Sequence, residues 1–214
     1  YSDVQDSNDP NAWTSDANAL DFAICFDTTG SMFADIDAIT SAARQITNAI
    51  AAQYPDYRLG LVDFRDYPDG NNGAPGDWPY LDRVRFTTNA DVLIAGLQPM
   101  AAGGGADVPE SIYTILMHCI DANALVARLT ANGHTNYIDS NSSGLGNWRQ
   151  GKGVMRVILL VTDAPPHNPE NYTNYVLNDI VMAATTGGNP VHIIPVVIRG
   201  DAAAEAALKP VAVL

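Results

Sequence analysis

Residues 20–32 read LDFAICFDTTGSM. The first half is an apolar run of the kind that a strand buried on both faces requires, and it leaves through an acid, two threonines, a glycine and a serine. Three oxygen-bearing side chains fall at alternate positions, Asp27, Thr29 and Ser31, so an extended turn presents them on one side. Two readings fit. One is an ordinary strand-to-helix turn in which one of these residues caps the next helix; the other is the floor of a metal site.

Working outward, Ile36, Ile39, Ala43, Ile46 and Ile50 recur at helical spacing from Phe33 to about Gln53, and Pro55 ends the stripe. YRLGLVDF (57–64) and RVRFTT (83–88) read as strands separated by the Gly-, Pro- and Asp-rich segment 65–80. No crossover helix lies between them, so they are expected to pair antiparallel at an edge. Residues 89–100 suit a short helix capped by Asn89, followed by the glycine-rich turn AAGGGADVPES (101–111) and a helix containing Cys119. A polar loop is expected over 130–153, strands over 154–163 and 191–198, a helix over about 171–186 between them, and a last helix before Leu214. This order predicts an α/β fold: a doubly wound, Rossmann-like, mostly parallel sheet with one antiparallel edge strand and helices on both faces. Ligands of such sheets bind beyond the carboxyl ends of the strands, where strand order switches. Three loops leave from those ends or from the adjoining crossover: 27–32, 102–111 and 163–168.

The 214 residues are read as one domain, 19–214, behind an Asp-, Asn- and Ser-rich arm, 1–18. Eleven Lys and Arg against 24 Asp and Glu give a formal net charge of -13, which disfavours nucleic acid and acidic membranes and favours cations. Cys25 and Cys119 both lie in apolar runs and are expected as buried free thiols. No run of about 18 apolar residues predicts membrane insertion. A start at Tyr1 without a basic and apolar leader predicts a segment of a larger polypeptide.

The three loops contribute Asp27, Thr29 and Ser31, then Asp107 and Glu110, then Asp163. A hard cation such as Mg²⁺ takes about six oxygens, which one loop cannot supply and three converging loops can. Two hydroxyls in place of carboxylates leave such a metal electrophilic, able to accept a carboxylate from outside the chain. The glycines at 103–105 match neither phosphate-loop spacing. Ser31 lacks the G-x-S-x-G elbow and has no histidine placed by sequence as its base, so no enzyme is expected. His167 either lines the binding face or is a plain turn residue, and His118 and His192 are expected in the core. Tyr67, Trp78 and Tyr80 either contact a partner or pack the hairpin.

DTTGS (27–31) after a buried strand, GGGADVPES (103–111) and TDAPPH (162–167) after a later strand together resemble the metal-ion-dependent adhesion site of von Willebrand factor type A domains, in the hemicentin-like and integrin β I-like branch. The resemblance implies that Asp27, Thr29 and Ser31 hold Mg²⁺, with Mn²⁺ or Ca²⁺ as substitutes, and that Asp163 binds through water. It assigns Glu110 to this metal and Asp107 to a neighbouring cation. The commoner branch uses a threonine in this loop, absent here, so either acid can complete the shell. A further adjacent cation is held in that branch by two consecutive acids, where this chain has Ala34 and Asp35. The family also adds a final edge strand and helix, neither visible before Leu214. The implied function is a metal-dependent adhesion or recognition module that captures an Asp or Glu of a protein partner in an extracellular or cell-surface setting. The alternatives are a cytoplasmic subunit of an AAA+-type assembly machine and, less favoured, a metal-assisted hydrolase.

Overall fold

The computed structural model describes residues 18–139, 144–186 and 189–213. The arm expected at the start therefore falls, but for its last residue, outside the described residues. Five strands form one sheet: β1 (Ala19–Asp27), β2 (Asp56–Phe64), β3 (Leu81–Thr87), β4 (Val154–Thr162) and β5 (His192–Val197). Their order is β3-β2-β1-β4-β5, with β1 in the centre. β1 pairs in parallel with β2 and β4, β4 in parallel with β5, and only β2 and β3 run antiparallel. The short connection through 65–80 enforces that one antiparallel pair, as expected.

The helices are α1 (Ile36–Gln53), α2 (Ala90–Leu97), α3 (Ile112–Ala131), α4 (Leu177–Thr185) and α5 (Ala202–Leu208). Every residue of β1 is buried, and the pleat divides it between two cores. Leu20, Phe22, Ile24 and Phe26 meet Ala43 and Ile50 of α1 and Leu93 and Leu97 of α2. Ala23 and Cys25 meet α3, with Ile180 of α4 and Leu208 of α5 in the same cluster. Cys25 and Cys119 are buried free thiols on this second side. α3 is apolar enough by length and composition to cross a membrane, yet ten of its side chains are buried within this fold.

Two expectations need correction. Residues 130–153 are not simply a polar loop: Leu145 and Trp148 are buried, Phe86 N–H donates to the Leu145 carbonyl at 2.8 Å, and Trp148 Nε1 donates to the Cys119 carbonyl at 2.9 Å. That carbonyl is free because α3 kinks at Asp121 (φ -152°, ψ 90°), whose Oδ1 accepts from Ala124 N and restarts the helix. The helix expected over 171–186 begins only at Leu177. Tyr172 and Asn174 have positive φ, and the 170–175 segment closes on itself through Glu170 N to Tyr175 O and Asn174 N to Glu170 O, both 2.8 Å.

Candidate metal centre

The sheet's parallel strands place the carboxyl ends of β1 and β4 side by side, and the chain leaves β1 towards β2 on one side and β4 towards β5 on the other. This is the switch point at which a doubly wound sheet leaves a crevice. Asp27 ends β1 there, and its carboxylate turns back along its own loop. Asp27 Oδ1 accepts from Thr29 N at 2.9 Å and Thr29 Oγ1 at 2.6 Å, and Oδ2 accepts from Thr162 Oγ1 of β4 at 2.7 Å. Thr29 Oγ1 lies 3.1 Å from Ser31 Oγ, which donates to Asp163 Oδ1 at 2.8 Å. The chain then enters a 3-10 turn, Gly30–Ala34, for which Thr29 makes no side-chain cap, and Asp35 makes none for α1. The capping reading is therefore not realised: the alternating oxygens of 27–31 bond one another and Asp163. Asp163 has no helix to cap either, because α4 starts at Leu177.

The glycine-rich loop closes over this floor. Gly30 N–H donates to the Gly104 carbonyl at 3.3 Å, and a Cβ on Gly30 would stand 2.9 Å from that oxygen. Gly104, at φ +73°, leaves no room for a side chain beside the Asp77 carboxylate. Asp77 accepts from Gly105 N at 2.7 Å and pairs with Arg65, so the hairpin segment 65–80 anchors the loop. The result is a cleft of about 300 Å³ lined by Thr29, Gly30, Ser31, Gly104, Gly105, Ala106, Asp107 and Glu110.

Glu110 is set in this wall by its backbone. Its N–H donates to the Pro165 carbonyl at 2.9 Å, and its carbonyl accepts from His167 N at 3.2 Å, which ties the second loop to the third. Its side chain is only 3% exposed in residue terms, and Oε2 has no hydrogen-bond partner. Burial, followed by the charges of Asp27 and Asp66, pushes the Glu110 carboxyl up to about 11. Burial also pushes Asp27 up to about 6, against the pull of the Thr29 and Thr162 hydrogen bonds.

Asp107 faces a different neighbourhood. Asp66, Asp107 and His167 each offer a ligand atom within 4.8 Å of the others. His167 Nε2 is 3.0 Å from Asp66 Oδ2 and 3.7 Å from Asp107 Oδ2. Burial alone would lower this imidazole, but Asp66, Asp107 and Asp69 outweigh it and hold its pKa above the ordinary value. Asp66 is fully buried and also accepts from Tyr67 N at 2.7 Å and from Ser111 Oγ. The sequence reading missed Asp66 because β2 was taken to feed only a hairpin, although its loop leaves the same sheet edge. The signal available was an acid two residues beyond that strand, Asp66 after Phe64.

Glu170 was missed as well. It is fully buried in the loop after β4, and Oε2 accepts from Thr114 Oγ1 at 2.8 Å in the first turn of α3. That bond ties the loop after β4 to the first turn of the helix that starts just after Glu110.

The remaining expectations resolve by position. Asp35, expected beside a further cation, pairs its carboxylate with Arg199. Tyr67 is not a partner contact: it is wholly buried, with its hydroxyl 2.8 Å from Thr114 Oγ1. Tyr80 is buried and stacks on His118. Trp78 is half-buried with Arg65 4.3 Å and Arg83 5.6 Å from its ring centre, which makes it a packing residue of the hairpin. His118 and His192 are both buried, as expected.

Residues 21–129 match the family model described as von Willebrand factor A domain, just over half of the chain. A curated relative, a putative ariadne-like RING finger protein of Acanthamoeba polyphaga mimivirus, is 23% identical over 152 residues, which are 71% of this chain and 12% of that protein. Among solved structures, this chain is similar to the pilus adhesin SpaC from Lactobacillus rhamnosus GG in its open conformation (18% identity, TM-score 0.39, 69% of this chain and 15% of that one). It is also similar to the vWF domain of the type V pili tip protein Mfa5 from Porphyromonas gingivalis (12% identity, TM-score 0.38, 69% of this chain and 38% of that one). The chain thus spans well under half the length of each of these proteins. On the match over 21–129, the chain belongs to the von Willebrand factor A domain family.

Proposed function

We propose that this chain is a divalent-cation-dependent protein-recognition module whose sheet edge holds Mg²⁺, or Mn²⁺ or Ca²⁺ in its place, and offers it to an Asp or Glu of a protein partner. The observation that carries the reading is Glu110: a carboxyl buried against a cleft floored by two hydroxyls, with Oε2 unpartnered and Asp27 beside it. A buried carboxyl either keeps its proton or takes a counter-charge. Among the described residues no lysine or arginine bonds Asp27 or Glu110, so a cation fits the place.

The donors are all hard oxygens, which suits Mg²⁺ or Ca²⁺. Asp27, Thr29, Ser31 and Glu110 are the residues to hold the ion, Asp163 orients Ser31, and Asp107 stands on the outer wall. The bound ion supplies a Lewis-acidic centre for an external carboxylate. Thr29 and Ser31 bring no charge of their own, so less of the ion's field is neutralised than in an all-carboxylate cage. No hydrolytic step belongs to this reading, since the Ser31 hydroxyl donates to Asp163 rather than to an imidazole. The domain is read as the recognition piece of a longer polypeptide, consistent with the small share of its relative's length that it spans.

Calorimetry with Mg²⁺, Mn²⁺ and Ca²⁺ on the wild type, Asp27→Ala and Glu110→Gln tests the proposal. Wild-type binding is expected to be abolished by Asp27→Ala and weakened about 10-fold or more by Glu110→Gln, about 1.4 kcal/mol per tenfold. Equal binding by all three proteins would sink the assignment.

A further inference from the structure

Arg199 lies in the turn Ile198–Gly200 after β5, at φ 59° and ψ 8°. Residues with a Cβ rarely hold this left-handed conformation unless their surroundings fix it. The guanidinium reaches across to the first metal loop. Nη2 donates to the Ser31 carbonyl at 2.8 Å and to the Asp35 carboxylate, and Nη1 stands 3.6 Å from Asp163 Oδ2. One carbonyl and one carboxylate of the 30–35 turn and the Asp163 carboxylate thus surround a single positive charge. Ser31 and Asp163 are also the pair joined by the 2.8 Å side-chain bond at the cleft.

We propose that Arg199 is a positioning residue acting as a tethered cation: it takes the position beside the cleft that a further divalent ion would otherwise need, and fixes Ser31 against Asp163. A planar guanidinium grips a carbonyl and a carboxylate through N–H groups of fixed direction, which a compact ammonium lacks. Because this charge is fixed to the turn after β5, it holds the Ser31 backbone without a second ion. Displacement of the 198–200 turn is then transmitted directly to Ser31. The cation-replacement part of this inference rests on the metal reading above, and the positioning part does not.

Amide hydrogen exchange of the full chain in EDTA tests the positioning part. Met32 N–H and Asp35 N–H close the 3-10 turn onto Thr29 and Met32 carbonyls, and they report its order. Both are expected to exchange about 10-fold faster in Arg199→Ala, with partial protection retained in Arg199→Lys. Unchanged exchange in Arg199→Ala would overturn the proposal. Should that variant fail to fold, Asp35→Asn keeps the guanidinium and is expected to accelerate the same amides about 3-fold, with no change again counting against it. Counting bound Mn²⁺ by electron paramagnetic resonance tests the replacement part. Arg199→Ala is expected to bind one more ion than the wild type, and the double variant with Asp35→Ala to lose it. Equal counts for wild type and Arg199→Ala overturn the replacement. A wild type that binds no Mn²⁺ instead overturns the metal reading and leaves the EDTA exchange to judge Arg199.

Discussion

β1 buries an aspartate at each end, and the two are treated in opposite ways. At the amino end Asp21 accepts from Arg58 Nε at 2.9 Å, from Arg149 Nε at 2.7 Å and from Arg149 N at 2.8 Å. Burial raises its carboxyl, but these arginines outweigh burial and hold the pKa below the ordinary value. At the carboxyl end Asp27 is equally buried and receives only hydroxyls and one amide, and its pKa rises to about 6. One strand therefore carries a completed ion pair at one end and an uncompensated acid at the other. The first is architecture. The second, joined by Glu110, is where a cation belongs in the proposed function.

Substitution at the two ends should separate these roles. Asp21→Asn leaves Arg58 and Arg149 short of their counter-charge and is expected to cost about 3–5 kcal/mol in urea unfolding, with the stabilisation by Mg²⁺ intact. Asp27→Asn is expected to do the reverse: metal-free stability changes by less than about 1 kcal/mol, while the rise in Tm on adding Mg²⁺ disappears. If Asp21→Asn also removed the Mg²⁺ response, the division between the ends of β1 would fail.

The pH dependence should diverge in the same manner. For Asp21 the folded pKa is lowered, so its contribution is present above the unfolded value near 3.8 and is lost as pH falls through the folded value. For Asp27 and Glu110 the folded pKa values are raised, to about 6 and about 11 from 3.8 and 4.5. Their native-state protons stabilise fully below about pH 4, and that contribution is lost as pH rises through about 6 and onward towards 11. Melting in EDTA between pH 5 and 9 is expected to show Tm falling with pH, and Mg²⁺ affinity rising over the same range as the ion displaces those protons. The smallest effect sharpens the boundary of the site. Tyr67→Phe removes the hydroxyl bonded to Thr114 and should cost about 1 kcal/mol, with metal binding unchanged, because Tyr67 is a core residue next to the site rather than a surface contact.

Much of this was readable along the chain. The continuous apolar run of β1, the helical stripe of α1 and the missing crossover between β2 and β3 are local patterns, and each appears in the fold as expected. DTTGS was legible for the same reason: its oxygens are neighbours in sequence and share one turn. What escaped were partners fixed by long-range closure. Asp66 meets His167 across 101 positions, Arg199 reaches Ser31 across 168, and Glu170 accepts from Thr114 of α3 across 56. Tyr67 and Trp148 looked like loop residues because their segments are polar, and only the packed fold buries them.

The sequence by itself determined the strand order's raw material, the three oxygen-rich loops and the family motifs, because periodicity and turn chemistry act between near neighbours. Tertiary structure alone decided that 27–31 does not cap its helix, that Glu110 rather than Asp107 lies against Asp27, and that Arg199 takes Asp35. Those outcomes depend on which loops a parallel sheet brings to one edge, and on which buried charge finds a counter-charge there.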